Sequence, residues 1–155
     1  MCTAIALAWS RLPTETIGRF GLGRRVHERG GEREVQFHYD DRRPRLPILR
    51  DGRLLVARWG NGRGQSRSLP RTGWTWLESV ERGFWRGRDA IPVVIPATLG
   101  LDKGVWYPIR QGVRALLVPD ERGLAVVYMI CEPATHDYRT MTRSDRMPVF
   151  IDERI

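Results

Sequence analysis

Leu46-Pro47-Ile48-Leu49-Arg50-Asp51-Gly52-Arg53-Leu54-Leu55-Val56-Ala57-Arg58-Trp59 is the stretch whose reading decides the fold. Apolar residues stand on both sides of an Asp-Gly pair, and Gly52 tolerates the positive φ that a tight reversal needs. The segments 46–49 and 53–59 therefore predict two antiparallel strands joined as a hairpin. The pattern returns downstream, where Val113–Val118 and Leu124–Cys131 flank the longer turn 119–123. Upstream, Glu34-Val35-Gln36-Phe37-His38-Tyr39 alternates apolar and polar residues, the mark of a half-buried strand. Thr3–Trp9, Ala90–Ala97 and Met147–Ile151 complete the strand candidates. One segment predicts a helix: Thr75-Trp76-Leu77-Glu78 has capping-box spacing, and Leu77, Val80 and Phe84 follow at i, i+3, i+7. A shorter helix is expected over 135–141, started by a Thr135 cap. Gly18–Arg33 and Asn61–Arg71, rich in Gly, Arg and Ser, read as mobile loops. The expectation is one compact α+β domain over 1–155, dominated by antiparallel strands in a barrel-like sheet, with two or three short helices.

A chain of 155 residues with 41% hydrophobic content suffices for one domain burying about 70% of its unfolded surface. The apolar run Thr3–Trp9 is too short for a membrane span and lacks the charged start of a signal peptide, so no membrane partner is expected. Cys2 and Cys131 make no disulfide framework, and His27, His38 and His136 lack ligand spacing. No metal and no other cofactor is expected, and the protein reads as a cytoplasmic monomer. The formal charge is +8 and Lys103 is the only lysine. Arg prevalence follows from GC-rich coding as readily as from function, but the net charge does not. An Arg-rich basic surface suits an anionic polymer, because the guanidinium fork binds phosphate bidentately.

Gly60-Asn61-Gly62-Arg63-Gly64 lacks both a following apolar helix and a Gly-Lys-Thr, so it is no P-loop; as a cationic loop it suits closure on a phosphodiester backbone. Trp9, Trp59 and Trp106 sit in strand-like contexts and read as core. Trp74, Trp76 and Trp85 surround the predicted helix, where an exposed indole would stack on unpaired bases. Cys2 follows Met1 directly. Trimming of an initiator methionine before a small residue leaves a chain that opens with an amine and a thiol on one carbon skeleton, a pair that captures aldehydes as a thiazolidine.

Met1-Cys2, Arg58-Trp59-Gly60, Ile95-Pro96-Ala97 and Asp145-Arg146-Met147-Pro148-Val149 occur in the order and spacing of one known family. The chain resembles the SOS-response-associated peptidase (SRAP) family, DNA-damage sensors of abasic sites in single-stranded DNA. Its departures are specific. The family's Asn-Ala-Arg-x-Glu stretch falls on Trp74-Thr75-Trp76-Leu77-Glu78, its active-site Glu on Asp102, and its signature His on Ser144. The family usually continues for several dozen residues beyond this signature, so the resemblance implies a short, divergent member of the kind expected in phages or other mobile elements.

The resemblance implies autoprocessing, peptidase-like and DNA–protein crosslinking activity, weakened by the losses at Trp74 and Ser144. Cys2 would form the crosslink, Asp102 would supply a carboxylate, and Ser144 would donate a hydrogen bond, with His136 as a substitute base. Arg146 is the leading phosphate contact, followed by Arg58, Arg82 and Arg86, with Trp74 and Trp76 as stacking residues. The implied partner is single-stranded DNA and the implied location nucleoid-associated when DNA-bound. Two other readings stand beside this one: a non-catalytic nucleic-acid-binding module on the same scaffold, and a small protein-interaction module of a mobile element.

Overall fold

A computed structural model describes residues 1–152 of the chain. Twelve strands form two sheets: β1 (Ala4–Ala8), β2 (Val26–Arg29), β3 (Glu32–His38), β4 (Arg45–Arg50), β5 (Arg53–Trp59), β6 (Trp74–Trp76), β7 (Ile91–Ile95), β8 (Leu99–Asp102), β9 (Val105–Pro108), β10 (Val113–Pro119), β11 (Ala125–Pro133) and β12 (Arg146–Pro148). Three short helices accompany them: α1 (Thr14–Arg19), α2 (Leu77–Glu81) and α3 (His136–Thr142). The expected α+β domain with a barrel-like sheet is what the chain forms.

The first sheet runs β2-β3-β1-β8-β9, all antiparallel. The second closes on itself, because β10, β7, β4, β5 and β11 pair in a ring, with β6 and β12 added along β11. Three seams of the ring are not hairpins: β7 meets β10 antiparallel with β8 and β9 intervening in sequence, β5 meets β11 in parallel, and β4 meets β7 through the single pair Leu49↔Val94.

The Asp51-Gly52 turn forms as the sequence predicts. Its φ values of 52° and 74° are those of a type I′ reversal, whose twist suits antiparallel strands. Two more such hairpins lie where the sequence reading placed none. Gly30-Gly31 joins β2 to β3, and Lys103-Gly104 joins β8 to β9, each pair with positive φ. The first corrects the expectation of a mobile loop at 18–33, which instead holds a 3-10 turn at Leu22–Arg25 and a hairpin.

Segment 61–71 also has fixed structure, although irregular. The buried Asn61 side chain donates to the carbonyls of Ser66 (3.0 Å) and Leu69 (2.9 Å) and accepts from the Ser66 amide (2.9 Å). Glu121 grips the same segment from the β10–β11 turn, accepting from Ser66 Oγ, the Arg67 amide and Ser68 Oγ. Gly60, with φ of 64°, has to be glycine, since a Cβ there would lie 2.3 Å from the Thr72 carbonyl oxygen.

The predicted capping box does not form. Thr75 belongs to β6, where its hydroxyl accepts from the Trp85 indole at 2.9 Å, and α2 starts only after it, without a side-chain cap. Cross-strand pairing with Ile130 outcompetes the local helix signal. The Thr135 cap of α3 does form, to the Tyr138 amide at 3.1 Å.

Strands β10 and β11 read as continuous apolar runs because both of their faces are covered. Val127, Met129 and Cys131 point into the main core with Trp59 and Phe37. Val126, Tyr128 and Ile130 point outward into a second cluster with Trp85, Leu69 and Val118, closed over by Leu77 and Val80 of α2.

Candidate functional site

Cys2 sits at the middle of the molecule because β1 is the central strand of the first sheet. The Thr3 amide donates to Leu101 at 2.8 Å, the Tyr39 amide donates to Thr3 at 2.9 Å, and the Trp74 indole donates to the Cys2 carbonyl at 3.0 Å. Residues 2 and 3 are thus clamped from three directions, as the strand-like Thr3–Trp9 predicts. Cys2 is 0% exposed, and its Sγ donates to the Ala4 carbonyl at 3.1 Å. Burial pushes the thiol pKa up, outweighing a stabilising contact with Tyr107. The resting thiol is therefore protonated and turned inward.

Asp102 ends β8 just ahead of the Lys103-Gly104 turn, and it too is 0% exposed. Its Oδ1 accepts from Ser144 Oγ at 2.7 Å and its Oδ2 from the Tyr138 hydroxyl at 2.8 Å. The Met1 α-nitrogen lies 3.3 Å from the carboxylate and 3.3 Å from Ser144 Oγ. The Tyr138 and Tyr107 hydroxyls are 3.1 Å apart. A phenol has a single proton, and since Tyr138 commits its own to Asp102, Tyr107 is the donor between the two rings. Burial drives both phenol pKa values up, well beyond the ordinary value for Tyr107. The cluster thus runs Cys2–Tyr107–Tyr138–Asp102–Ser144, with the α-nitrogen at its open end.

Tyr107 fits this place because Gly100 stands opposite it on β8, where a Cβ would come within 2.6 Å of the ring. Ser144 is presented by the end of α3: Arg143 takes a left-handed turn at φ 63°, and the Ser144 amide donates to Thr142 Oγ1 at 3.2 Å.

Cys2, Asp102 and Ser144, which the sequence reading named, lie together, whereas both tyrosines went unnamed. No pattern announced Tyr107, although its neighbour Trp106 reads as strand-like. Tyr138 was discoverable, since in the predicted helix it lies two residues after His136 on the opposite side. His136 itself is exposed, so the inward group of α3 is the phenol.

A second group of predicted residues borders this cluster. Arg146 lies with its guanidinium 4.5 Å from the Trp76 ring centre and forms an ion pair with Glu78 at 2.9 Å. Its carboxylate partner is thus Glu78, on α2, rather than the adjacent Asp145. Trp74 stacks edge-on with Tyr39 at 4.4 Å and with Trp59 at 5.7 Å between ring centres. Trp74, Trp76, Phe84 and Trp85 line one cavity of about 230 Å³, with Phe84 47% exposed. Trp85 and Trp59 are buried, whereas Trp9 and Trp106 are half-buried under the guanidiniums of Arg33 and Arg29.

The remaining predicted arginines divide between the neighbourhood of α2 and a distant strand end. Arg82 caps the end of α2 within electrostatic reach of Glu78, and Arg86 is exposed beside Gly83. Arg58 pairs with Val126 in register, whereas Trp76 pairs with Cys131. That separates them by about 16 Å along β11.

Among the described residues, no group of three or more His, Cys, Asp or Glu side chains is placed to hold a metal ion, and no helix is long and apolar enough to cross a membrane. In comparisons with known proteins, the chain matches no family model, no curated protein and no solved structure.

Proposed function

We propose that this protein is an SRAP-like sensor that captures abasic sites in single-stranded DNA through Cys2 once Met1 has been removed. The observation that carries this reading is the convergence of the Met1 α-nitrogen, Asp102 and Ser144 at 3.3 Å or less beside Cys2. Removal of Met1 frees the space its backbone fills against the carboxylate, and the amine of Cys2 becomes the group next to it. The ring-opened abasic sugar brings an aldehyde. The amine adds to its carbon and water leaves, giving an imine. The thiol then adds across the C=N bond, its proton passing to nitrogen, and a thiazolidine results with net loss of one water. Asp102 accepts and returns the protons of these steps, while Ser144 and Tyr138 hold its two oxygens in place. Arg146 supplies charge for a phosphate, and the aromatic cavity of Trp74, Trp76 and Phe84 supplies faces for bases.

One observation favours a second reading. The Cys2 thiol is fully buried and bonded to the Ala4 carbonyl, which suits a non-catalytic nucleic-acid-binding module that keeps Met1. Intact-mass measurement combined with a denaturing gel separates the two. The sensor reading expects loss of one Met and a gel-stable adduct with single-stranded DNA carrying one abasic site, absent from Cys2→Ala. Retained Met1 and salt-sensitive, preferential binding of single strands without adduct would establish the module instead.

A further inference from the structure

Away from Cys2, the turn before β4, the end of β5 and the loop after it enclose a cavity of about 220 Å³. Five arginines line it, Arg42, Arg43, Arg45, Arg58 and Arg63, and no carboxylate does. Among the described residues no ion pair reaches Arg42, Arg43 or Arg63. Arg58 has a carboxylate partner, Asp120 at 3.4 Å, but Arg122 shares that partner at 3.7 Å. Its Nη1 donates to Gln65 at 3.2 Å, while its Nε is the one buried side-chain nitrogen or oxygen without a hydrogen-bond partner among the described residues. A buried, charged N–H without an acceptor destabilises the fold, and with four further guanidiniums around the same cavity it leaves an excess of positive charge that an anion entering from outside would answer.

We infer that this cavity is a phosphate-binding site, with Arg58 as its fixed donor and Arg43 and Arg63 closing over the ligand. Guanidinium forks match the tetrahedral oxygens of phosphate, and a terminal monoester, with nearly two negative charges, answers five arginines better than a diester with one. Arg58 is pre-organised for this, since Asp120 is itself fixed by the amides of Arg122 and Leu124, both at 2.9 Å. The site serves a nucleotide or a phosphorylated strand end, and it does not depend on the chemistry of Cys2.

The test measures equilibrium binding of thymidine 5′-monophosphate, thymidine, and (dT)6 with and without a 5′-phosphate. The proteins compared are the wild type, Arg58→Lys and the double variant Arg43→Ala/Arg63→Ala. Monophosphate and 5′-phosphorylated (dT)6 should bind the wild type at least tenfold more tightly than their unphosphorylated counterparts, and both variants should lose that preference. If both (dT)6 forms bind alike and the double variant weakens them equally, the ligand is the internal phosphodiester of a strand, and the inference of a terminal-phosphate site is overturned. No phosphate binding by the wild type, or unchanged affinities in the double variant, overturns the inference. Should Arg58→Lys fail to fold, the double variant still decides, because its two side chains are exposed. The readout is reversible binding, so its failure leaves crosslinking by Cys2 to be judged on its own gel, and the converse holds.

Discussion

Asp102 has no exposed surface, yet its two oxygens take hydrogen bonds from Ser144, Tyr138 and the Met1 α-nitrogen. On the proposed reading, Asp102→Asn keeps the shape and removes the proton acceptor, so crosslinking to abasic single-stranded DNA should slow by about 10²–10⁴-fold. Ser144→His, which adds an imidazole where the carboxylate can orient it, should raise the rate, as timed gels will report. The thiols give a second test. Burial raises the pKa of both Cys2 and Cys131, so neither is a thiolate at pH 8. Alkylation by iodoacetamide should run at least about tenfold slower in the native protein than in the unfolded chain. In protein lacking Met1, Cys2 should react faster than Cys131, as peptide mass mapping will reveal. Residue reading of the sequence found the acid and its serine through a motif. It missed Tyr107 because that ring owes its position to the absent side chain of Gly100 across the strand, a relation visible only after pairing.

At the scale of elements, local turn chemistry was legible and long-range pairing was not. Asp51-Gly52 announced its hairpin through positive φ, and Gly30-Gly31 and Lys103-Gly104 obeyed the same rule without flanking patterns strong enough to be read. Thr75, by contrast, carried a helix signal that β11 overrode. Segment 61–71 illustrates the other failure: its Gly, Arg and Ser suggested mobility, whereas its order comes from Asn61 at its start and Glu121 sixty residues on. Asn61→Ala removes three hydrogen bonds and strands the Ser66 amide and two carbonyls. It should cost about 2–4 kcal/mol in urea unfolding, with hydrogen exchange rising first in residues 61–71.

Across the whole molecule, the barrel was foreseeable from strand density and hairpins, but its closure by a parallel β5–β11 seam was not, since no local pattern encodes a parallel partner. The Glu121 clasp gives the assembly a pH dependence. Bonds from the Ser66 hydroxyl first, then from backbone amides, lower its carboxyl from 4.5 to about 2. A depressed folded value means stability that is complete above pH 4.5 and is lost as pH falls from there towards 2. Thermal midpoints measured between pH 2 and 6 should therefore drop on acidification, and Glu121→Gln should flatten that part of the curve. The central position of β1 has a consequence in time. Its partners β3 and β8, together with Asp102 and Ser144, are synthesised after it, at roughly 5–20 residues per second. Nascent Met1 therefore stays open to an aminopeptidase for on the order of 10–30 s at that pace. On the proposed reading, pairing of the α-nitrogen with Asp102 and Ser144 ends that window, so the choice between a retained and a removed Met1 falls during synthesis.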